Sequence, residues 1–294
     1  MARSLTLRPP AKINWSLRIG ARLDDGYHDV RTILQTIDLS DTLTFTHKLG
    51  PFEFISRSAE VPSDASNLIC RAAQALWGAA GRAGDPRDVQ IKLIKNIPVG
   101  AGLGGGSANA AAALVGLNAI WKCKLSARDL LHLGAALGAD VPFFLVGGTA
   151  LGVGRGDEVY PLEDVKPMGI VLIKPAFGVS TADAYGWLDR DREGGGVATI
   201  GAELAVGWPT GALDVANDLE APVARRHPLI NEAIDLCHRE GALAAAMTGS
   251  GSAVFGVFSL AAVPRVVRRL RRQDWRVLPT RTISRAQARR RMTL

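Results

Sequence analysis

The segment best suited to chemistry is Pro98-Val99-Gly100-Ala101-Gly102-Leu103-Gly104-Gly105-Gly106-Ser107-Ala108. An alternating run, Val89–Lys95, precedes it and an alanine-rich run, Ser107–Trp121, follows it. Glycines let a backbone turn its N–H groups inward without side-chain interference. The first turn of a following helix adds unpaired N–H donors and the positive end of its dipole. Together these features bind phosphate, and Ser107 is placed for its hydroxyl to face a phosphate or a phosphate-bound Mg²⁺. The bland alternative is a flexible linker, which seldom runs straight into an alanine-rich helix. The G-x-G-x-x-G match at Gly100–Gly105 also marks dinucleotide folds. No Lys follows the glycines, so this is not a Walker A loop, and a catalytic cation must come from elsewhere in the chain.

Two charged residues bear on that need. Lys12 follows Pro9-Pro10-Ala11, a stiff extended approach; on its own it reads as a solvated charge at a strand start. Asp140 lies in Gly138-Ala139-Asp140-Val141-Pro142-Phe143-Phe144-Leu145, where Pro two residues on suits a helix start and Asp reads as its N-cap. The Asp157-Glu158 pair after Gly154-Arg155-Gly156 reads as turn chemistry. Asn67 and Lys95 have plain capping and surface readings.

Apolar spacing indicates what positions these groups. Ser4–Arg8, Ile13–Ile19, Val30–Leu39 and Thr42–Thr46 read as strands, with a turn at Asp24-Asp25-Gly26. Asn67–Ala80 has the apolar spacing of one helix face. Gly100–Gly106 is expected to break regular structure, and Ser107–Trp121 to be a buried helix. Ser126 with Asp129 opens another helix with a capping-box-like start. Past Tyr160, Gly169–Lys174, Ala253–Phe258 and Arg276–Ser284 read as strands, and Pro228–Glu240 and Pro264–Gln273 as helices. The segment through Tyr185 reads as a loop running into a helix, and Gly194-Gly195-Gly196 as a loop. The pattern indicates an α+β fold rather than a doubly wound sheet, with domains at residues 1–160 and 161–294.

Length and composition fit this picture: 294 residues, 47% apolar and 21% charged, are those of a globular protein. No apolar run reaches bilayer length, and Met1–Arg8 lacks a secretory core, so a cytoplasmic protein is expected. The cysteines (Cys70, Cys123 and Cys237) read as buried structural thiols, and no metal site is expected. Much of the net charge of +7 comes from Arg265, Arg268, Arg269, Arg271 and Arg272 on one helix and from Arg289-Arg290-Arg291. These read as a solvated helix face and a frayed tail. With no aromatic platform interleaved, no nucleic-acid partner is expected, and with no bilayer-length apolar run no membrane partner is expected.

Three motifs in order resemble the GHMP kinase superfamily of galactokinase, homoserine, mevalonate and phosphomevalonate kinases. They are Pro10-Ala11-Lys12-Ile13-Asn14, the glycine loop Pro98–Ser107, and Met247-Thr248-Gly249-Ser250-Gly251-Ser252-Ala253. Asp25-Gly26-Tyr27-His28, Asp140-Val141-Pro142-Phe143-Phe144, Asn217-Asp218 and Lys174–Tyr185 resemble one branch, whose members phosphorylate a cytidine diphosphate sugar alcohol in the non-mevalonate isoprenoid pathway. The resemblance spans nearly the whole chain. It implies a ribosomal-S5-like N-terminal domain with a left-handed β-α-β crossover, a ferredoxin-like C-terminal domain, and an active site between them. It implies ATP on Pro98–Ala108 with Asn67 and Lys95 near the adenosine, and Mg²⁺ delivered with ATP. It implies Lys12 and Asp140 as catalytic residues, and Asn14, Tyr27, His28, Thr181 and Tyr185 as substrate-binding residues, with the two tyrosines holding the cytosine ring and His28 reading its edge. Ala108 departs from the pattern, since many relatives carry a second serine there. The motif Asp25–His28 weighs against a homoserine or mevalonate kinase. Lys12 and Asp140 with an intact loop weigh against a non-catalytic RNA-binding protein on the same fold.

Overall fold

In the computed structural model, residues 4–192 and 215–292 are described; the Gly194–Gly196 segment lies outside them. Strict alternation builds the first sheet. Strands β1 (Ser4–Leu7), β4 (Thr42–Pro51), β6 (Arg87–Ile94) and β5 (Glu53–Ser56) lie in the order β1-β4-β6-β5. Leu43, Phe45, Val89, Ile91 and Leu93 are buried from one face, and Thr44, Gln90 and Lys92 alternate to the other. Because β5 and β6 run parallel, a crossover is needed. It contains α1 (Leu68–Ala79), capped by Asn67 as its spacing indicated.

Helix α2 (Gly105–Ile120) packs between α1 and this sheet. Its first ten residues include seven that are alanine or buried glycine and asparagine, so it is buried nearly all round rather than on one stripe. Gly116 permits the contact with β4: a Cβ there would lie 2.5 Å from Phe45 Cζ. The helix begins two residues earlier than expected. Gly104 takes the left-handed N-cap conformation, and a Cβ on Gly105 would press within 2.9 Å of Ile97 Cγ2. Packing here overrides the weak helix propensity of glycine.

The second sheet has the order β10-β2-β3-β7-β8, from β10 (Ala216–Asn217), β2 (Pro10–Arg22), β3 (His28–Ser40), β7 (Thr149–Val153) and β8 (Glu158–Pro161). The third is antiparallel, β11-β12-β9-β13, from β11 (Ala244–Met247), β12 (Val254–Phe258), β9 (Gly169–Pro175) and β13 (Trp275–Arg281). Helices α5 (Thr181–Arg192), α6 (Glu220–Arg226), α7 (Leu229–Arg239) and α8 (Val263–Leu270) contribute to the core on one side of it. Ile170, Leu172, Phe255 and Val257 join Ile13, Trp15, Ile33 and Ile37 of the second sheet in another core. Ala101 and Leu103 of the glycine loop are buried in that same joint. The α+β class expected from the sequence is what the chain adopts. Helix α3 (Ala127–Leu137) has the Ser126–Asp129 capping box in both directions, and α4 (Val141–Val146) follows it.

Three surface readings change. Arg289–Arg291 is no frayed tail: helix α9 (Arg285–Met292) packs on α4, Met292 joins the N-terminal core, and Arg291 bonds Asp38 and Ser40. The apolar Ala288 and Met292 were too few to signal a docked helix in sequence. Arg271 and Arg272 lie beyond the end of α8, while Arg265 and Arg269 pair with Glu240, and Arg272 pairs with Glu232. Of the three free thiols Cys237 is buried, but Cys70 and Cys123 are only half-buried.

Candidate functional site

The three motifs of the sequence meet at one place. In the glycine loop, Gly100, Gly102 and Gly104 have φ of 61°, 72° and 69°, the left-handed region that side chains disfavour. Ala101 and Leu103 alternate with them and anchor the loop in the core. The backbone ties it to both halves: Lys12 N–H donates to Leu103 O at 3.0 Å, and Ala253 N–H to Ala101 O at 3.3 Å. The loop and the third motif approach so closely that a Cβ on Gly102 would fall 2.0 Å from Thr248 O. No side chain caps the N-terminus of α2, so the loop leads into a first turn suited to an anion.

Lys12 projects from β2 into this junction and is 3% exposed. Its Nζ donates to Asn14 Oδ1 at 2.6 Å and lies 3.8 Å from Asp140 Oδ2. Burial pulls its pKa below the usual lysine value, and the Asp140 charge partly offsets that. Asn14 is itself held from three sides. Its Nδ2 donates to Thr32 Oγ1 at 2.8 Å, its Oδ1 accepts from Thr248 Oγ1 at 3.2 Å, and its N–H donates to the same hydroxyl. Asn217 of β10 donates to Met247 O and Gly249 O, fixing the third motif beside β2.

Asp140 occupies the N-cap position of α4, but its side chain makes no capping bond. The capping reading is corrected accordingly: position and side-chain role separate, and the carboxylate, 41% exposed, faces Lys12 instead.

A cleft of about 1120 Å³ opens over these groups. That is slightly above the usual range for a single ligand pocket and gives room for two. Lys12, Asn14, Asp140, Pro98–Ser107, Asn67, Lys95, Tyr27, His28, Thr181 and Tyr185 all line it. Ala108 does not; it is fully buried in the N-terminal core. Tyr27 is 55% exposed, with the Arg155 guanidinium 5.2 Å from its ring centre. Tyr185 is half-buried, and burial pushes its hydroxyl pKa up. Its ring centre lies 5.1 Å from that of His28. Thr181 Oγ1 is 3.3 Å from Ser250 Oγ, which joins α5 to the third motif.

Asn67 and Lys95 are more constrained than free ligand contacts. Asn67 Oδ1 accepts from Ile69 N–H and its Nδ2 donates to Pro62 O. Lys95 Nζ donates to Asp41 Oδ2 at 2.7 Å and to Ile97 O; burial lowers its pKa and Asp41 opposes that.

Sequence reasoning missed Asp41, Asp189 and the role of Thr248. Asp41 is fully buried and accepts from Lys95, Asn96 N–H, Ile97 N–H and Asn109 Nδ2. It therefore locks the entry of the glycine loop to α2. In sequence it is one acidic residue between two strands, and the groups its carboxylate accepts from all lie more than fifty positions away. Thr248 stood inside a recognised motif, which was the available signal. Among the described residues no group of three or more His, Cys, Asp or Glu side chains gathers to hold a metal, and no helix is long and apolar enough to cross a membrane.

Comparisons with known proteins identify the family. Residues 67–148 match the family model of the GHMP kinases N-terminal domain, and residues 195–276 that of the GHMP kinases C-terminal domain. The chain is 40% identical over 286 residues to a 4-diphosphocytidyl-2-C-methyl-D-erythritol kinase from Pelotomaculum thermopropionicum, covering 95% of this chain and 98% of the relative. A crystal structure of a 4-(cytidine 5'-diphospho)-2C-methyl-D-erythritol kinase superposes with a TM-score of 0.79 at 31% identity, over 95% of this chain and 99% of that one. Homoserine kinase from Cytophaga hutchinsonii shares the fold, with a TM-score of 0.70 at 19% identity over 96% and 95% of the two chains.

Proposed function

The chain belongs to the GHMP kinase family, and we propose that it transfers the γ-phosphoryl group of ATP to the C2 hydroxyl of 4-diphosphocytidyl-2-C-methyl-D-erythritol, in the non-mevalonate isoprenoid pathway. The observation that carries this reading is the Lys12–Asp140 pair, 3.8 Å apart, beside the glycine loop in a cleft that also holds Tyr27, His28 and Tyr185. The relatives at 40% and 31% identity, named for this substrate, support it over 95% of the chain.

Phosphoryl transfer asks a protein mainly for positioning and charge stabilisation. The left-handed glycines, where a Cβ would clash with Thr248 O at Gly102 and with Phe144 at Gly104, hold the loop backbone close against its neighbours at the start of α2, and this fits the ATP phosphates. Mg²⁺ bound to ATP would supply neutralisation of phosphate charge, and Ser107, in the first turn of α2, would hold the phosphate or the phosphate-bound ion through its hydroxyl. Asn67 and Lys95 border the adenosine end, with Lys95 acting through the Asp41 lock.

The acceptor hydroxyl oxygen attacks the γ-phosphorus, the bond to the β,γ-bridging oxygen breaks, and ADP leaves. Asp140 orients the hydroxyl and accepts its proton. Lys12, held by Asn14, stabilises the charge on the transferring group. Tyr27 and Tyr185 hold the cytosine ring, His28 reads its edge, and Thr181 borders the substrate. The division at residues 1–160 and 161–294 is part of this proposal, with β10 and α9 returning from the second half to the first. The free thiols, with no disulfide among the described residues, favour a reducing, cytoplasmic setting.

A coupled ADP-release assay tests the reading, with the cytidine substrate, homoserine and mevalonate offered side by side. Turnover is expected with the cytidine substrate alone. Faster turnover of either other acceptor would overturn the assignment.

A further inference from the structure

Resting on the reading that a cytidine nucleotide fills the tyrosine end of the cleft, we infer that Asp189 sets which base that end accepts, by fixing the tautomer of His28. The His28 ring is 8% exposed, and its Nε2 lies 2.8 Å from Asp189 Oδ1. An ionised carboxylate only accepts, so the proton of this contact sits on Nε2. In the neutral ring Nδ1 then carries a lone pair and can only accept.

The placement of the ring makes this consequential. His28 and Tyr185 lie with their ring centres 5.1 Å apart and their planes tilted by 38°. Tyr185 and Asp189 are four residues apart on α5 and share one helix face. The stacking ring and the carboxylate that holds His28 thus come from the same face, and all three side chains line the cleft. His28 comes from the start of β3, so the base is read across the joint between the two halves.

Cytosine presents a lone pair at N3 and an amine donor at position 4, whereas uracil presents an N–H at N3 and a carbonyl acceptor at position 4. Set against position 4, an accepting Nδ1 pairs with the amine and opposes the carbonyl, lone pair to lone pair. A ring free to exchange tautomers would offer an N–H to the carbonyl and discriminate less. Asp189 touches no reacting atom; it is a positioning residue for specificity.

The test uses full-length protein and two probes, CDP and UDP, with binding measured by calorimetry and the His28 ring observed by ¹⁵N NMR. Wild type is expected to hold the Nε2–H tautomer and to prefer CDP. Asp189→Ala should mix the tautomers and narrow the CDP-to-UDP preference about five- to 150-fold, the range for one mispaired hydrogen bond. Asp189→Asn, whose amide oxygen still accepts from Nε2–H, should retain part of the preference. An unchanged preference in Asp189→Ala, even with a lower melting temperature, would overturn the inference, as would an Nδ1–H tautomer in wild type. Absent turnover with the CDP preference intact would count against the proposed reaction and not against this assignment. A wild type that binds CDP and UDP alike would overturn the assignment whatever its turnover.

Discussion

Replacing Asp140 by Asn removes one negative charge and little else, so its effects on stability and on rate separate cleanly. The side chain makes no capping bond in α4, and Asn is close to it in shape. The interaction lost is with Lys12 Nζ, 3.8 Å away. Two unit charges about 4 Å apart attract by about 4 kcal/mol at an effective dielectric of ~20. Asp140 is 41% exposed, and solvent reduces the net value of such pairs to about 1 kcal/mol or less. A proton acceptor is worth about 10²–10⁴-fold in rate, equivalent to about 2.7–5.4 kcal/mol of barrier. Asp140→Asn is therefore expected to lower kcat by at least about 100-fold while costing no more than about 1 kcal/mol of stability. A coupled assay over a pH series, with urea unfolding in parallel, reads both quantities. The pH series adds a signed expectation. Burial already holds Lys12 below the usual lysine value of 10.5, and Asp140 pulls it back up. Without that carboxylate the alkaline limb of the profile, where Lys12 loses its proton, moves to lower pH. A kcat loss under about tenfold, or an alkaline limb that stays in place, would refute the reasoning and leave Asp140 a minor orienting group.

Other perturbations probe the parts around this pair. Gly104→Ala forces a side chain into the left-handed region, with its Cβ 2.7 Å from Phe144 Cζ and 3.1 Å from Lys12 Cγ. It should cost about 1–2 kcal/mol and weaken ATP binding by calorimetry, and unchanged affinity in the folded variant would remove the loop from the phosphate site. Tyr27→Ala should raise KM for the cytidine substrate about five- to 150-fold, matching roughly 1–3 kcal/mol per stacked base. Its melting temperature should hold, since the ring is 55% exposed. Tyr185→Ala should raise KM and also destabilise, because this ring is packed on the C-terminal core, whereas Tyr185→Phe should be mild. If neither alanine variant moves KM, the base pocket lies elsewhere. Asp41→Asn leaves the Lys95 ammonium without its counter-charge and should cost about 3–5 kcal/mol in denaturant unfolding, much of it recovered by adding Lys95→Met. A single variant as stable as the pair would show that the lock contributes little.

The sequence by itself determined most of the longer elements and the three motifs, because both are local, but it did not show the short strands β5, β7, β8, β10 and β11 or the helices α6 and α9. Alternation over Thr42–Thr46 and Val89–Lys95 allows few structures besides strands, and the spacing across Asn67–Ala80 few besides a helix. Glycines at 100, 102 and 104 were legible as a phosphate loop because left-handed backbone is a property of single residues. Family likeness then gave Lys12, Asp140 and the tyrosines their expected places. Tertiary structure alone decided what those groups do to one another. Lys12 read as a solvated charge, yet packing of the third motif over β2 buries it and makes its pKa depend on Asp140. Asp140 read as a cap from its local sequence alone, and the fold turns its carboxylate toward Lys12 without a capping bond. Asp41 and Asp189 gave no signal because their partners lie 54 and 161 positions away. Arg291 likewise finds Asp38 only once α9 docks. Backbone preference is set within a few residues, whereas burial and charge pairing depend on neighbours that chain folding brings together, so the longer, strongly patterned elements could be read in order and the electrostatics of the site could not.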